Sequence, residues 1–253
     1  MLASGSSGNA IYVRVGDVRV LVDVGISRRR IVRALGELDV SMDQIDAIVL
    51  THEHSDHVSG LPMLRKHHPG IPIFCTEGTA RGCVRRKRWD QENHHPIEAG
   101  DVLRLGHMRL MPFATSHDVN EPVGLRIEGP DTALGIATDL GRSTSTVLKA
   151  LEDCRAVVLE ANHDVERLWR GPYPLHLKRR VVSPRGHLSN EQMRDVLGEI
   201  ATENLRSVVL AHLSDKNNTP ELALGSLGTS LSNAPKALVT VAERESPSPL
   251  MAF

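Results

Sequence analysis

Aromatic residues are scarce in this chain of 253 residues, where two Trp, two Tyr and three Phe make up 3% of the sequence. A surface that stacks many unpaired bases on aromatic rings is therefore not expected. An excess of one charge is also lacking, because 30 Lys and Arg stand against 31 Asp and Glu, for a net charge of −1. That balance excludes a globally basic nucleic-acid-binding protein but leaves a local basic channel open.

Cysteines and long apolar runs are scarce as well. The three cysteines, Cys75, Cys83 and Cys154, form no CxxC pair. An odd and sparse count is typical of reduced thiols, so we expect a cytoplasmic protein. The sequence has no run of about 18 apolar residues and no basic segment at its start, so we expect neither a membrane span nor a signal peptide.

The chain has enough apolar sequence for a core, since 40% of its residues are hydrophobic. Short β-branched runs alternate with amphipathic segments in two halves, and each half has a hairpin-rich part followed by helices. Gly16-Asp17, between the runs Ile11–Val15 and Val18–Val22, is a hairpin signal. This order predicts an α/β (α+β) protein with two packed sheets and helices outside them. Because no linker or short-period repeat appears, we predict a single domain over residues 1–253.

Four segments late in the chain receive specific predictions. Ala156–Glu160 and Ser207–Ala211 are apolar runs that predict strands. Pro220–Leu231 is predicted to form a helix, and Gly171–Leu175, with two prolines, a loop that leads to His187.

Residues 51–57 read Thr-His-Glu-His-Ser-Asp-His and directly follow an apolar run. Side chains at i and i+2 after a strand point the same way, so His52 and His54 are expected to bind one metal ion together. Asp56 and His57 come one short turn later and can face a second ion. Clustered protonated histidines repel one another, and a bound cation removes that repulsion by keeping the rings neutral.

Three further candidate ligands follow predicted strands. They are His117, Asp139 and His212, each of which comes after an apolar run. Polar residues at the ends of apolar strands indicate the rim of a site rather than a core.

The HxHxDH run, with a later His, an Asp in a Thr-Asp-x-Gly context and a final His after an apolar strand, resembles the metallo-β-lactamase-fold hydrolases. The resemblance covers nearly the whole chain and implies a four-layer αβ/βα sandwich with a two-metal site between the sheets. It implies that one ion is bound by His52, His54 and His117, and the other by Asp56, His57 and His212. It also implies that Asp139 bridges the ions and that Asp23, in the early strand segment Leu21–Gly25, supports the site without binding metal. Zn²⁺, Mn²⁺ and Fe²⁺ suit these ligands about equally.

Other segments narrow the resemblance to the YycJ/WalJ group, whose members are regarded as DNA-directed 5′→3′ exonucleases. These segments are Ser4–Asn9, Glu160–Asp164, Gly171–Pro174 and Gly186–Asn190. Glu160 and His187 also resemble the Glu and His that act on the leaving group in tRNA 3′-processing endonucleases of the same fold. The chain lacks the long flexible arm of those tRNA enzymes and is too short for the extra domain of the β-CASP nucleases.

The predicted function is a two-metal phosphodiesterase, a 5′→3′ DNA exonuclease whose nucleophile is a metal-bridged hydroxide. The candidate catalytic residues are Asp56, His187 and Glu160, with His187, oriented by Glu160, protonating the leaving oxygen. The alternatives are a small-molecule hydrolase that cleaves cyclic phosphodiesters, thioesters or lactones, an RNA-processing nuclease, and an inactive metal-binding scaffold.

Substrate binding is assigned to local polar and basic groups. The candidates are Ser6, Ser7, His163, Lys178, Arg179, Arg180 and Arg185. Basic clusters can line a groove for a phosphate backbone, and we favour the segment Arg167–Gly186 over the clusters at residues 28–30, 81 and 85–88. Trp169 or Tyr173 is a candidate to stack on a terminal base, whereas His163 could instead belong to a solvated loop. We expect a nucleic-acid partner, DNA before RNA, and no membrane; the oligomeric state stays open.

Overall fold

The computed structural model describes residues 1–86 and 94–253, so Lys87 and Arg88 of the basic cluster at residues 85–88 lie outside the described residues. Its strands form two mixed sheets with flanking helices, as the resemblance predicts. The chain divides into two compact units. The first contains Met1–Pro112, Val119–Val123 and Glu243–Leu250, and the second contains Phe113–Asp118, Gly124–Ala242 and Met251–Phe253. The single domain over residues 1–253 stays a prediction.

The first unit carries most of the strands and helices of the N-terminal half. Its strands are β1 (Ile11–Val15), β2 (Val18–Val22), β3 (Ala47–Val49), β4 (Ile73–Cys75), β5 (His95–Pro96), β6 (Leu103–Leu105) and β7 (Met108–Ala114), the last of which continues into the second unit. Its helices are α1 (Arg28–Gly36), α2 (Ser55–Val58), α3 (Leu61–His67) and α4 (Glu77–Arg85), with a 3₁₀ helix at Met42–Gln44.

The sheet order β1-β2-β3-β4-β5 places the ends of two strands where a site can form. The predicted hairpin β1–β2 is confirmed, and β2 to β5 pair in parallel. Because parallel strands end at the same edge of a sheet, Asp23 after β2 and His52 after β3 emerge side by side. The core beneath them is apolar and fully buried around Leu21, Ile48 and Leu50.

The second unit continues the alternation of strands and helices. Its strands are β8 (Val123–Glu128), β9 (Ala133–Ala137), β10 (Ala156–Glu160), β11 (Ser207–Ala211) and β12 (Leu238–Val241). Its helices are α5 (Ser145–Leu151), α6 (Val165–Arg170), α7 (Leu175–Val181), α8 (Asn190–Ile200) and α9 (Pro220–Gly225). The strands lie in the order β12-β11-β10-β9-β8, with β9 to β12 parallel and β8 antiparallel to β9. Asp139, Glu160 and His212 therefore meet at one edge of the sheet.

Two of the late predictions need correction. The predicted strands at Ala156–Glu160 and Ser207–Ala211 are confirmed. The predicted helix over Pro220–Leu231 is wrong beyond Gly225, because the chain turns there and Gly228 takes a left-handed φ of 53°.

The loop predicted over Gly171–Leu175 is real only as the short connection between α6 and α7. Proline at position 174 does not interrupt a helix, because it occupies the N-cap of α7 in an extended conformation. Asp164 caps α6 by accepting a hydrogen bond from the backbone N–H of Arg167. Among the described residues, no helix is long and apolar enough to cross a bilayer.

Candidate metal centre

The HxHxDH motif forms a compact cluster of ligand atoms in the first unit. The ring of His52 lies 5.0 Å from that of His54 and 4.0 Å from that of His57, measured between centroids. His54 is the N-cap of α2, and this single turn places Asp56 Oδ2 3.5 Å from His57 Nε2. His52 and His57 are fully buried, whereas Asp56 keeps partial access to solvent.

Asp23 fixes the orientation of the histidine rings. Its carboxylate accepts hydrogen bonds from the Thr51 backbone N–H, the Thr51 hydroxyl and His57 Nδ1, at 2.8, 2.8 and 2.7 Å. A carboxylate only accepts, so the proton of neutral His57 is on Nδ1 and its lone pair is on Nε2. Because the Thr51 hydroxyl donates its hydrogen bond to Asp23, its oxygen can only accept a hydrogen bond from His52 Nδ1, 3.0 Å away. Both rings thereby carry their lone pair on Nε2, the atom through which a histidine in this tautomer binds a cation.

Asn9 is a site residue that the sequence reasoning missed. Its Oδ1 accepts a hydrogen bond from the Gly5 backbone N–H at 2.9 Å, which turns its Nδ2 toward Asp56 Oδ2 at 3.4 Å and His57 Nε2 at 3.1 Å. The backbone N–H of Asn9 also donates to the Asp56 carbonyl at 2.7 Å. The only signal was its place in the segment Ser4–Asn9, because the contacts join residues 47 and 48 positions apart.

Ser6 and Ser7 are exposed in the turn that precedes Asn9. Gly5 and Gly8 flank them with φ values of 113° and 151°, a backbone region that residues other than glycine rarely adopt. The Gly8 backbone N–H closes the turn by donating to the Gly5 carbonyl at 3.0 Å. The role of Ser6 and Ser7 in substrate binding stays a prediction.

Replacing Gly25 by alanine is expected to lower the free energy of unfolding by roughly 3 kcal/mol and to displace Asp56, because overpacking forces the backbone to move. A Cβ at Gly25 would overlap the Asp56 carbonyl oxygen and lie 2.8 Å from the Asn9 nitrogen. Urea unfolding of the two variants measures the effect. Gly36→Ala is the matched control, because a Cβ there would meet no described atom within 4 Å apart from its chain neighbours and the backbone of its own helix. Equal stabilities for the two variants would contradict the tight approach of Gly25 to Asp56.

A second cluster of ligand atoms lies at the sheet edge of the second unit. One ligand atom each of Asp139, Glu160, His187 and His212 falls within 4.8 Å of the others. Asp139 and His212 have left-handed φ values of 58° and 57°. Such backbone strain in residues other than glycine concentrates at functional sites.

Glu160 is fully buried and has all its acceptor positions in use. Its Oε1 accepts from Nδ1 of His187 and of His212, at 2.8 and 2.9 Å. Its Oε2 accepts from the backbone N–H groups of Leu140 and Leu188, at 2.8 and 3.1 Å. Burial alone raises the pKa of a carboxyl group, but the charge of His187 and the hydrogen bonds from both histidines outweigh it and lower the pKa of Glu160. Glu160 is therefore ionised and serves to orient two imidazole rings.

The contacts of His117 indicate whether the ligand atoms of the second unit suit a cation. Its Nδ1 donates to the Gly186 carbonyl at 3.0 Å, so the lone pair on Nε2 faces Asp139 Oδ1 and Asp118 Oδ1, each 3.5 Å away. Burial lowers the pKa of His117, although Asp139 opposes this shift, so the ring is neutral. A lone pair aimed at two carboxylate oxygens is repulsive unless a positive ion lies between them, and His212 Nε2 faces Asp139 Oδ1 in the same way at 3.7 Å. The residues therefore fit a divalent cation.

His187 is more exposed than His117 and His212, the two other histidines of this cluster. Its side chain is 18% exposed, against 0% for His117 and 3% for His212. Because Nδ1 donates to Glu160, Nε2 is the ring atom left to act on a substrate.

The four basic residues that are predicted to bind substrate differ in the groups that they contact. Arg180 forms a bidentate pair with Asp118 at 2.6 and 3.2 Å, and Arg185 donates to the His117 carbonyl at 3.1 Å. Lys178 donates to the Trp169 carbonyl at 2.6 Å, and Arg179 is exposed.

His163 lies in the interior of the second unit. It is 1% exposed, so the alternative of a solvated loop is wrong. Burial lowers the pKa of His163 to about 4, although Glu160 opposes the shift. The ring is therefore neutral near pH 7, and its role in substrate binding stays a prediction.

Comparisons with known proteins bear on the family of the chain. A family model described as a beta-lactamase superfamily domain matches residues 18–213. Exodeoxyribonuclease WalJ of Streptococcus pneumoniae serotype 2 is 34% identical over 226 residues, which cover 88% of this chain and 84% of that protein. Exodeoxyribonuclease YycJ of Bacillus anthracis is 32% identical over 233 residues, with the same two coverages of 88% and 84%.

A solved structure shows the same fold at much lower sequence identity. Zn²⁺-bound PqqB of Methylobacterium extorquens superposes with a TM-score of 0.72 over 98% of both chains, at 17% identity. This likeness establishes the arrangement of strands and helices and carries no statement on substrate.

Proposed function

The chain belongs to the beta-lactamase superfamily and is a metal-dependent hydrolase of the metallo-β-lactamase fold, and from this premise we propose that it is a two-metal phosphodiesterase that degrades DNA from the 5′ end. One observation supports DNA as the substrate: the similarity to two exodeoxyribonucleases extends along 88% of the chain. A small-molecule hydrolase of the same fold would need neither the His187–Glu160 pair nor the basic segment that precedes His187.

The residues that would hold the two ions are those of the HxHxDH motif together with His117, Asp139 and His212. When bound, the ions supply Lewis acidity and an activated water at neutral pH. The protein's own contribution is orientation, because Asp23, Thr51 and Gly186 accept hydrogen bonds from the Nδ1 atoms of three histidines, so that the lone pair of each ring is on Nε2. The chemistry of the donor set suits zinc, manganese and iron, and we propose no choice among them.

His187 is proposed to deliver the proton to the departing oxygen. The hydrogen bond from its Nδ1 to Glu160 holds the ring in one orientation. The His187 side chain is 18% exposed, and Nε2 is the ring nitrogen that is not bonded to Glu160. Glu160 acts through His187 and does not itself exchange protons, because its four acceptor contacts are taken.

The proposed function predicts which substrate classes are cleaved. We expect purified protein with added Mn²⁺ or Zn²⁺ to shorten end-labelled DNA, to act on RNA of the same sequence much more slowly, and to leave thioester and lactone substrates intact. The readout is a product ladder for the nucleic acids and a colorimetric assay for the small substrates. Faster cleavage of RNA, or turnover of a small ester with DNA left intact, would contradict the proposal.

A further inference from the structure

The side chain of Asn9 is fixed in one orientation by the turn that precedes it. The Gly5 backbone N–H can only donate, so the atom that it meets at 2.9 Å is the amide oxygen of Asn9, and the other end of the amide is its nitrogen. That nitrogen donates one of its two hydrogens to the Gly5 carbonyl at 3.2 Å. One N–H of the Asn9 amide is therefore left for other neighbours, and because Asn9 is only 4% exposed, those neighbours are protein groups.

The backbone of Asn9 is held from both sides. Its N–H donates to the Asp56 carbonyl at 2.7 Å, and its own carbonyl accepts from the Gly25 backbone N–H at 2.7 Å. Asn9 therefore cannot move away from Asp56 as a whole. Any change in its contacts with the motif must be a rotation of the side-chain amide.

The remaining N–H of Asn9 is directed at two proposed ligands of the second ion. Nδ2 lies 3.1 Å from His57 Nε2 and 3.4 Å from Asp56 Oδ2. Because His57 Nδ1 donates to Asp23, Nε2 carries the one lone pair of the neutral ring. Asn9 thus donates a hydrogen bond to the lone pair of the nitrogen through which His57 would bind a cation.

A hydrogen bond and a cation exclude each other at His57 Nε2. An imidazole nitrogen has one lone pair in the ring plane, so an ion bound there requires Asn9 to give up this hydrogen bond. Asp56 Oδ2 is less restricted, because a carboxylate oxygen has more than one acceptor position and can keep the amide N–H while it contacts an ion. The loss therefore falls on the second ion, to which both Asp56 and His57 are assigned.

Resting on the two-ion site of the proposed function, we propose that Asn9 competes with the second divalent cation for His57 Nε2 and thereby sets the affinity of the site for that ion. Asn9 makes the second ion the more weakly bound of the two. The active two-ion form of the enzyme then depends on the concentration of free metal.

Binding of Mn²⁺ in the absence of nucleic acid tests this proposal. Protein is stripped of metal with EDTA, dialysed and titrated with Mn²⁺, and the unbound ion is counted by electron paramagnetic resonance. We expect Asn9→Ala to lower the weaker of the two dissociation constants roughly 5-fold, or about 1 kcal/mol, the usual net contribution of one hydrogen bond. The tighter constant should stay unchanged, as should both constants in the control Asn204→Ala, at an exposed position. A weaker constant that is unchanged or higher in Asn9→Ala would overturn the proposal.

Replacing Asn9 by aspartate keeps the shape of the side chain and an oxygen for the Gly5 N–H, but removes the N–H that faces His57. We expect this variant to bind the second ion more tightly than Asn9→Ala does, because it also adds a negative charge. Asn204→Asp is the control for that charge, and urea unfolding shows whether each variant is folded. Tightening in Asn9→Asp without tightening in Asn9→Ala would be an effect of charge alone and would overturn the proposal.

The amide signals of Asn9 provide a measurement on the unaltered protein. In nitrogen-15-labelled protein these side-chain signals are identified by their loss in Asn9→Asp. We expect them to shift with the second equivalent of Zn²⁺ and to stay in place with the first, because the hydrogen bond to His57 breaks only when the second ion binds. Signals that stay in place through both equivalents would overturn the proposal, whatever the stability of the variants.

The outcomes separate this proposal from the proposed function. A second ion that binds more tightly in Asn9→Ala, in a protein that leaves DNA intact, would support the role of Asn9 and overturn the nuclease assignment. Cleavage of DNA by a protein whose Mn²⁺ constants do not respond to Asn9→Ala would overturn the role of Asn9 and leave the nuclease assignment standing.

Discussion

Replacing Asp56 and His57 together by alanine is expected to lower DNA turnover about 1,000-fold or more and to leave one metal ion per chain instead of two. The two side chains place Oδ2 and Nε2 within 3.5 Å of each other, and Asp23 and Asn9 both orient them. A bound metal stabilises the transition state by several kcal/mol, and each step of about 1.4 kcal/mol is a factor of ten in rate. Elemental analysis of the dialysed protein and initial rates on labelled DNA measure the two effects.

The matched control for this variant replaces the same residue types at exposed positions, Asp17→Ala with His107→Ala. Because loss of His57 leaves the buried Asp23 carboxylate without one donor, folding of the double variant is checked by its thermal transition. Asp56→Asn, which keeps the size of the side chain and removes its charge, is expected to weaken the second ion in a protein of normal stability. Two ions still bound per chain in the double variant would contradict the assignment of these residues as ligands.

Replacing His187 by alanine is expected to lower turnover roughly 100-fold to 10,000-fold while two ions stay bound. The ring is partly exposed and oriented by Glu160, as the proposed general acid requires. The expected loss of turnover is the usual contribution of a general acid. Initial rates and the metal content of the same samples provide the test.

His176→Ala, at an exposed position on α7, is the control for His187→Ala and is expected to leave both rate and metal content unchanged. His187 also lies in a group of four potential ligands with Asp139, Glu160 and His212. A parallel loss of metal and turnover in His187→Ala would therefore make it a ligand and would remove it from the proton-transfer role.

The sequence was sufficient to predict strands whose apolar pattern is continuous and whose ends carry polar residues. β10 and β11 have the predicted bounds, because each is a run of five residues, which is the length of a strand and too short for a typical helix. The sequence does not indicate α4, because Gly78 and Gly82 lower its helix propensity. In the structure those two positions need glycine, since a Cβ would crowd the carboxylates of Glu121 and Glu53.

The site was predictable as a set of residues but not as a set of contacts. Spacing alone predicts that His52, His54, Asp56 and His57 lie close enough together to bind metal, since they follow one strand and one turn. The left-handed backbone at Asp23, Asp139 and His212 has no sequence signal, because only glycine adopts that region at little cost. The amide of Asn9 against His57 likewise depends on tertiary structure, as does the pairing of Arg180 with Asp118.

The most direct test of the central claim follows the order in which nucleotides leave a single DNA strand. A strand labelled at its 3′ end is incubated with the protein and Mn²⁺ or Zn²⁺, with an EDTA sample beside it, and the products are resolved at single-nucleotide length. We expect a ladder of labelled strands that shorten one nucleotide at a time from the 5′ end, and no shortening in EDTA. DNA that stays intact after incubation with protein that has bound both ions would contradict the account.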